Sequence, residues 1–234
     1  MRRRPVPAAA PKITTLLADD HRLIRQGVRV LLEAEKDIAV IGEAEDGRQA
    51  VELVAKLHPD VVVMDIAMPL LNGLEATRQI LSASPGTRVL ILSAHSDQEY
   101  VERVTDLGAA GYVLKQSSLE DLATAIRTAQ SGKTFVSPSI PWGDRPRVHA
   151  KSQSSQGSAA VPARLTSREA EVLQLVAEGK ANKQTAAYLH ISIKTVEKHR
   201  QSLMTKLDIH DVAGLTRFAI AIGTIEGRDR SVDS

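Results

Sequence analysis

The stretch VVVMDIAMPLLNGLEATRQI, residues 61–80, decides the fold of the first half of this chain. It opens with a short apolar, β-branched run, Val61–Met64, which is followed by Asp65 and a loop. Apolar residues then recur at helical spacing over Leu74–Leu81. A run of this kind is typical of a strand that is buried on both faces of a parallel sheet. The stretch therefore predicts a strand, a loop and a helix in succession.

The same unit recurs on both sides of this stretch. The other predicted strands are Ile13–Leu17, Ile38–Ile41, Val89–Leu92 and Gly111–Leu114, and the other predicted helices are His21–Glu33, Gly47–Leu57, Gln98–Leu107 and Leu119–Ala129. Asp46, Asn72, Asp97 and Ser118 stand at plausible helix N-caps. Five such units predict a doubly wound α/β domain with a five-stranded parallel sheet over residues 13–136.

The composition changes beyond this domain. Residues 137–163 are rich in Pro, Ser, Gln and Gly without periodicity, which predicts a flexible linker. Residues 164–225 show helical spacing throughout and predict a small all-α domain of four helices. Its first helix is capped by Thr166 or Ser167, and a short turn at His190–Ile193 joins two others into a helix-turn-helix. We expect disordered tails at residues 1–12 and 226–234.

Composition and charge limit the classes of function. The chain has no cysteine, which excludes disulfides, thiolate metal sites and cysteine nucleophiles and fits a reducing cytoplasm. No apolar run approaches the roughly 20 residues of a membrane span. The formal net charge of +2 hides an asymmetry, because residues 13–136 carry −6 and residues 164–210 carry +3, counting Lys and Arg against Asp and Glu. This asymmetry favours an anionic partner for the second half.

Carboxylates follow two strands that should be neighbours in the predicted sheet. Asp19 and Asp20 follow the first strand, and Asp65 follows the third. Ligand sites lie at the carboxyl ends of such strands, so these carboxylates should converge, and an all-oxygen set suits Mg²⁺. Ser93 and Lys115 follow the fourth and fifth strands and would contact a phosphate. The implied chemistry is attack by a carboxylate on a phosphoryl group, which forms an aspartyl phosphate.

These residues resemble the receiver domain of two-component response regulators, which has a flavodoxin-like fold. The matching segments are LLADDHRLIRQGV, VVVMDIAMPLLNGLEATRQI, LSAH and GAAGYVLK, within about residues 13–130. The resemblance implies that Asp65 accepts a phosphoryl group from a histidine kinase. It implies that Asp20, Asp65 and the carbonyl of Ala67 bind the metal directly, while Asp19 binds it through water.

The resemblance also assigns roles beside the phosphoacceptor. Ser93 and Tyr112 match the two switch residues of the family, and Lys115 matches its phosphate-binding lysine. Ser93 and Lys115 are therefore the candidate catalytic residues beside Asp65.

Residues 164–225 resemble the LuxR-type helix-turn-helix of NarL/FixJ response regulators. The matching stretch is LTSREAEVLQLVAEGKANKQTAAYLHISIKTVEKHRQSLMTKL. The resemblance places the helix that starts near Ile193 in the major groove of DNA. Asp208 stands where family members usually have a glycine C-cap, in a conformation that Asp tolerates better than most residues.

Two kinds of DNA contact are expected from this helix and the one before it. Lysines and Arg200 should reach phosphates, whereas Glu197, Lys198 and Gln201 should meet base edges. The candidate DNA-binding residues are Asn182, Lys183, Lys194, Thr195, Glu197, Lys198, His199, Arg200, Gln201 and Lys206.

We therefore expect a phosphorylation-controlled transcription regulator that is not an enzyme. Its expected partners are Mg²⁺, a histidine kinase, promoter DNA and, when phosphorylated, a second copy of the chain; no membrane is expected. One alternative is a DNA-binding regulator that works without phosphorylation and has a degenerate receiver. A second is a hydrolase on the same sheet with an aspartyl nucleophile, but such enzymes usually carry a second Asp two residues later, where this chain has Ala67.

Overall fold

In the computed structural model, which describes residues 11–94, 96, 98–140 and 165–225, strands and helices alternate through the first half of the chain. The strands are β1 (Ile13–Ala18), β2 (Ile38–Ala44), β3 (Val61–Asp65), β4 (Arg88–Ser93), β5 (Gly111–Leu114) and β6 (Phe135–Val136). The helices are α1 (Arg22–Glu33), α2 (Gly47–Leu57), α3 (Gly73–Ala83), α4 (Gln98–Asp106) and α5 (Leu119–Gln130). The predicted cap Asp97, the linker from residue 141 to 163, and all but two residues of the predicted tails at 1–12 and 226–234 lie outside the described residues.

The strands pair in parallel in the order β2-β1-β3-β4-β5-β6. The predicted parallel α/β fold is confirmed, but the predicted number of five strands is wrong, because β6 adds a sixth at the edge. It pairs Phe135 with Gly111 and Val136 with Tyr112. Gly111 allows the backbones of β5 and β6 to come this close, since a Cβ at position 111 would collide with the carbonyl of Phe135. A strand of two residues is too short to show an alternating pattern in a sequence.

The sheet is covered on both faces. Leu16, Val62 and Ile91 face the layer formed by α2, α3 and α4, and the intervening residues, such as Leu17 and Val63, face α1 and α5. Burial on both faces explains why the strands have almost continuous apolar sequences. The packing extends past β6, because Ile140 is buried in the first of these two layers.

Side-chain caps fix where three of the helices begin. Asp46, Asn72 and Ser118 each accept a hydrogen bond from the backbone N–H three residues further on, as predicted. The cap at Asn72 sets the start of α3 immediately after the loop that leaves β3.

The second half contains α6 (Ser167–Ala177), α7 (Asn182–Leu189), α8 (Ile193–Leu207) and α9 (Val212–Ala221), which confirms the predicted four-helix domain. Their core includes Leu173, Leu189, Leu203 and Leu215. No helix in the described ranges has the length and apolar character that crossing a membrane requires.

The turns of this domain follow local side-chain chemistry. Of the two predicted caps, Thr166 is the one that caps α6, in a capping box with Glu169. His190 adopts a left-handed conformation, φ 51°, and turns the chain from α7 into α8. Asp208 caps the C-terminus of α8 at φ 53°, as predicted from the resemblance.

Candidate functional site

The carboxyl ends of β1 and β3 bring three carboxylates together. Asp19 and Asp65 are 4% exposed, whereas Asp20 lies at the surface. One ligand atom from each of Asp19, Asp20, His21 and Asp65 lies within 4.8 Å of the others. The predicted convergence therefore occurs, because β1 and β3 are neighbours in the sheet.

Lys115 connects two of these carboxylates. Its Nζ lies 2.8 Å from Oδ2 of Asp65 and 2.9 Å from Oδ2 of Asp19. Burial raises the pKa of Asp65, and the charge of Asp19 adds to this, while the Lys115 ammonium acts in the opposite direction. Burial also opposes the charged form of Lys115, but contact with Asp65 and Asp19 outweighs it and raises the pKa of Lys115.

Ser93 and Tyr112 lie on the two strands beside this cluster. Ser93 ends β4 one residue beyond the partner of Asp65, and Tyr112 pairs with Ile91 across β4 and β5. Both side chains are almost fully buried. The backbone N–H of Lys115 donates to the carbonyl of Ser93 over 2.7 Å, which fixes the position of Lys115 relative to β4.

The loop after β3 is held against Asp65 by short contacts. Oδ1 of Asp65 accepts a hydrogen bond from the N–H of Ile66 at 2.8 Å, and the N–H of Gly73 donates to the carbonyl of Ile66. Gly73 is required here, since a Cβ would collide with the carbonyl of Asp65. Ala67, the predicted carbonyl ligand, lies in this loop two residues beyond Asp65.

The donor set fits a hard cation. Carboxylate oxygens of Asp19, Asp20 and Asp65 are the ligands that Mg²⁺ prefers in proteins. Sequence reasoning did not single out His21, whose Nδ1 lies 2.8 Å from Oδ1 of Asp20. Its place directly after the acidic pair was the available signal.

The helix-turn-helix presents a polar surface to solvent. Lys183 on α7 and Lys194, Glu197, Lys198 and Gln201 on α8 are exposed. Asn182, Thr195, His199 and Arg200 are partly exposed on the same two helices. The structure thus brings the predicted DNA-binding residues onto one pair of helices.

Three of the predicted DNA-binding residues, Lys206, Arg200 and Asn182, have side-chain partners within the domain. The Nζ of Lys206 lies 2.7 Å from Oε2 of Glu169, and Nη1 of Arg200 donates to Oδ1 of Asn182 at 2.5 Å. The first contact ties α8 to the start of α6. The second ties α8 to the start of α7.

The helical domain is docked on the loop between β3 and α3. The side-chain oxygen of Gln174 accepts hydrogen bonds from Asn72, and its Nε2 donates to the carbonyl of Met68. Glu178 accepts from the N–H of Leu70 at 3.0 Å. Gln174 is completely buried in this contact. Sequence reasoning missed it; the only signal was a glutamine inside the apolar run of α6.

Further contacts with α2, α3 and α4 support the docking. Glu171 accepts hydrogen bonds from Gln79 of α3 and from Arg48 of α2. The hydroxyl of Tyr100 on α4 donates to the carbonyl of Gly223, just after α9. The exposed residues of α8 take no part in these contacts, so α8 stays open to solvent in the docked domain.

Comparisons with known protein families agree with this division of the chain. The response regulator receiver domain family matches residues 15–127, and the luxR family of bacterial regulatory proteins matches residues 163–219. The signal receiver domain of NarL from Mycobacterium tuberculosis aligns at a TM-score of 0.52 and 35% identity, covering 53% of this chain and all of that one.

Relatives of the same two-domain length are also known. The transcriptional regulatory protein DegU of Brevibacillus brevis is 39% identical over 211 residues, which are 86% of this chain and 89% of DegU. The transcriptional regulatory protein LiaR of Bacillus subtilis is 40% identical over 85% of this chain and 92% of its own. RcsB of Salmonella typhimurium aligns at a TM-score of 0.52 and 28% identity over 91% of this chain and 100% of that one. This chain belongs to the NarL/FixJ-type response regulators, which are transcriptional regulators that join a receiver domain to a LuxR-type DNA-binding domain.

Proposed function

We propose that phosphorylation of Asp65 by a histidine kinase controls the binding of this regulator to promoter DNA. The observation that carries the proposal is the convergence of Asp65, Asp19 and Lys115 at the carboxyl edge of the sheet. A buried carboxylate beside an ammonium suits a nucleophile that must become a charged acyl phosphate, which stays bound at the site.

The proposed transfer needs few groups. An oxygen of Asp65 attacks the phosphorus, and a new O–P bond forms as the bond from phosphorus to the kinase histidine breaks. Lys115 neutralises charge on the phosphoryl oxygens, and the hydroxyl of Ser93 donates a hydrogen bond to one of them. Mg²⁺ held by Asp19, Asp20, Asp65 and the carbonyl of Ala67 would neutralise further charge on these oxygens. A phosphoryl group kept on Asp65 acts as a signal and not as an intermediate of turnover.

The signal has a short route to the DNA-binding domain. The loop that begins after Asp65 contains Met68, Leu70 and Asn72, which contact Gln174 of α6 and its C-cap residue Glu178. A change of charge and coordination at Asp65 and Ala67 therefore acts directly on the docked helix. Movement of the switch residues Ser93 and Tyr112 would act in parallel through α4, which contacts Ile222 and Gly223 just after α9.

We propose that phosphorylation favours a homodimer on DNA. Val212 and Ile220 leave apolar surface exposed on α9, which supports a contact between helical domains. A solved structure of RcsB contains two dimers bound to two parallel DNAs. A dimer reads two half-sites, with α8 of each copy in the major groove. The protein would act in the cytoplasm, where the kinase histidine and the DNA are both within reach.

Labelling with acetyl phosphate and Mg²⁺ tests the phosphoacceptor. We expect one phosphoryl group per chain, no labelling of Asp65→Asn, and normal labelling of the control Asp106→Asn, which alters an exposed residue of α4. Full labelling of Asp65→Asn, or efficient labelling in the presence of a chelator, would contradict the site or its metal.

Light scattering and DNA titration, each with and without the phosphoryl group, test whether phosphorylation favours a dimer and tighter DNA binding. Phosphorylation should raise both the mass and the DNA affinity. The alternative, a regulator that works without phosphorylation, would be favoured by equal DNA affinities for three proteins. These are the labelled wild type, the unlabelled wild type and Asp65→Asn.

A further inference from the structure

Arg25 of α1 is a buried arginine that the phosphotransfer chemistry does not use. Its side chain is 6% exposed, and each of its three guanidinium nitrogens has a separate partner. Nε donates to Glu43 at 2.9 Å, Nη2 donates to Glu45 at 2.7 Å, and Nη1 donates to the backbone carbonyl of Asp19 at 2.6 Å. A buried guanidinium that donates hydrogen bonds to three separate acceptors holds those acceptors at fixed positions.

The contact with the Asp19 carbonyl is the important one. This carbonyl belongs to the peptide unit that joins Asp19 to Asp20, and a peptide unit is planar. Fixing the carbonyl therefore fixes the plane from which both acidic side chains leave the backbone. The N–H of Asp19 is held on its other side by the carbonyl of Ala44 at 3.2 Å.

The same arginine links the pair of aspartates to β2. Glu43 lies within β2 and Glu45 follows it, so Arg25 ties the end of β1, the first turns of α1 and the end of β2 into one unit. Glu43 also accepts a hydrogen bond from Arg29 at 2.6 Å. The two glutamates compensate the charge of Arg25, so the guanidinium can lie close to the acidic cluster without replacing a cation there.

We propose that Arg25 is a positioning residue for the metal site, which orients Asp19 and Asp20 through the peptide unit between them. This rests on the proposed function, since the cation concerned is the one that assists phosphorylation of Asp65. Residues that orient metal ligands in this way typically change metal affinity by about 10- to 100-fold when they are replaced.

Arg25→Lys is the direct test, because it keeps the charge but cannot make three bonds in a fixed plane. Arg29→Lys is the matched control: Arg29 shares Glu43 and lies one helical turn away, but it does not contact Asp19. The first readout is the dissociation constant of Mn²⁺ for the unphosphorylated full chain, from water-proton relaxation. The second is the Mg²⁺ concentration that gives half-maximal labelling by acetyl phosphate.

We expect Arg25→Lys to weaken Mn²⁺ binding at least tenfold and to raise the half-maximal Mg²⁺ concentration in parallel, with full labelling restored at saturating Mg²⁺. Arg29→Lys should match the wild type in both. A folded Arg25→Lys with wild-type Mn²⁺ affinity would overturn the proposal while leaving the phosphoacceptor intact. A wild-type chain that binds Mn²⁺ but takes no label on Asp65 would instead overturn the proposed function.

A second variant covers the case in which Arg25→Lys does not fold, which far-UV circular dichroism would reveal. The side chain of Glu45 is 68% exposed, so Glu45→Gln should leave the domain folded while it removes one charged anchor of the guanidinium. We expect weaker Mn²⁺ binding that persists at high salt, where a long-range charge effect would be screened. A loss that disappears at high salt would count against the proposal.

Discussion

Gln174 of α6 and Asn72 at the start of α3 hold the two domains together through a pair of hydrogen bonds. The side-chain oxygen of Gln174 accepts from the backbone N–H of Asn72 at 2.7 Å and from its Nδ2 at 3.1 Å. Oδ1 of the same Asn72 caps α3 through the N–H of Glu75. One asparagine therefore both begins a helix of the receiver and receives the DNA-binding domain, seven residues after Asp65.

Gln174→Ala should loosen the docking. Buried hydrogen bonds contribute about 1 kcal/mol each, and donors left without partners cost more, so docking should weaken by about 2–4 kcal/mol. The measurement is hydrogen exchange at the backbone amide of Leu70, which donates to Glu178. This amide does not bond to Gln174, so faster exchange there reports undocking of the helical domain. We expect exchange of this amide to accelerate about a hundredfold. Gln201→Ala, an exposed change on α8, is the control and should leave the exchange unchanged.

Phosphorylation of the wild type should accelerate exchange at the same amide if the loop carries the signal. Unchanged exchange in a fully labelled protein would show that the signal reaches α6 by another route.

Much of this receiver was predictable because its signals are local. The strands are apolar runs with chemistry at their ends, and Asp46, Asn72 and Ser118 mark helix starts by their own hydrogen bonds. The order of the strands then brings Asp19 and Asp65 together without further information. The positions of Asp19 and Asp65 after their strands are therefore sufficient to predict the acidic cluster.

The contacts that were not predicted depend on distant partners. Nothing near Gln174 marks it as an interface residue, since its partners in the receiver, Asn72 and Met68, lie more than a hundred residues away. In the sequence, nothing distinguishes Arg25 from other arginines on helices. Its partner Glu43 lies 18 residues away and comes beside it only when β2 pairs with β1. Pairing of β6 requires a glycine at position 111, because a Cβ there would collide with the backbone of Phe135. The sequence alone does not show that another backbone lies against this glycine.

Glu169 should make the stability of the helical domain depend on pH. Burial alone would raise its pKa, but contacts with Lys206, Thr166 and Ser202 outweigh burial and lower the pKa of Glu169 to about 2. A carboxyl whose pKa is lowered by folding stabilises the folded state above its unfolded pKa, and this contribution disappears as pH falls towards the folded pKa. At neutral pH it amounts to at most about 3 kcal/mol.

Urea unfolding of the full chain at several pH values measures this contribution. Glu169→Gln should lower the unfolding free energy at pH 7, and its difference from the wild type should shrink between about pH 4.5 and 2. Glu197→Gln, an exposed change on α8, should show no such difference. A Glu169→Gln deficit that is equally large at low pH would point to lost packing and not to the ion pair.

Lys115→Met should slow labelling of Asp65 and move its acid limb to higher pH. Only the ionised carboxylate attacks phosphorus, and burial already raises the pKa of Asp65. Removing Lys115 removes the contact that opposes this increase, so fewer carboxylates are ionised at a given pH. The loss of a charge that stabilises the transferring phosphoryl group should cost about a hundredfold in rate at neutral pH.

The initial rate of labelling by acetyl phosphate at fixed Mg²⁺, followed over pH, checks this expectation. Lys133→Met changes an exposed lysine and should retain the profile of the wild type. An acid limb that moves to lower pH in Lys115→Met would show that the two side chains are not coupled as their 2.8 Å contact indicates.

DNA titration should separate two kinds of residue on α8. Lys194 and Gln201 are both exposed, but only Lys194 carries a charge. Lys194→Ala should weaken binding to operator and random DNA alike and reduce the salt slope by about one unit. Gln201→Ala should cost about 1–3 kcal/mol on the operator alone and leave the slope unchanged, because an amide reads base edges without releasing counterions. The operator for these titrations comes from genome-wide binding of the phosphorylated protein. If Gln201→Ala lowers the affinity equally for both DNAs, this face of α8 does not lie in the major groove.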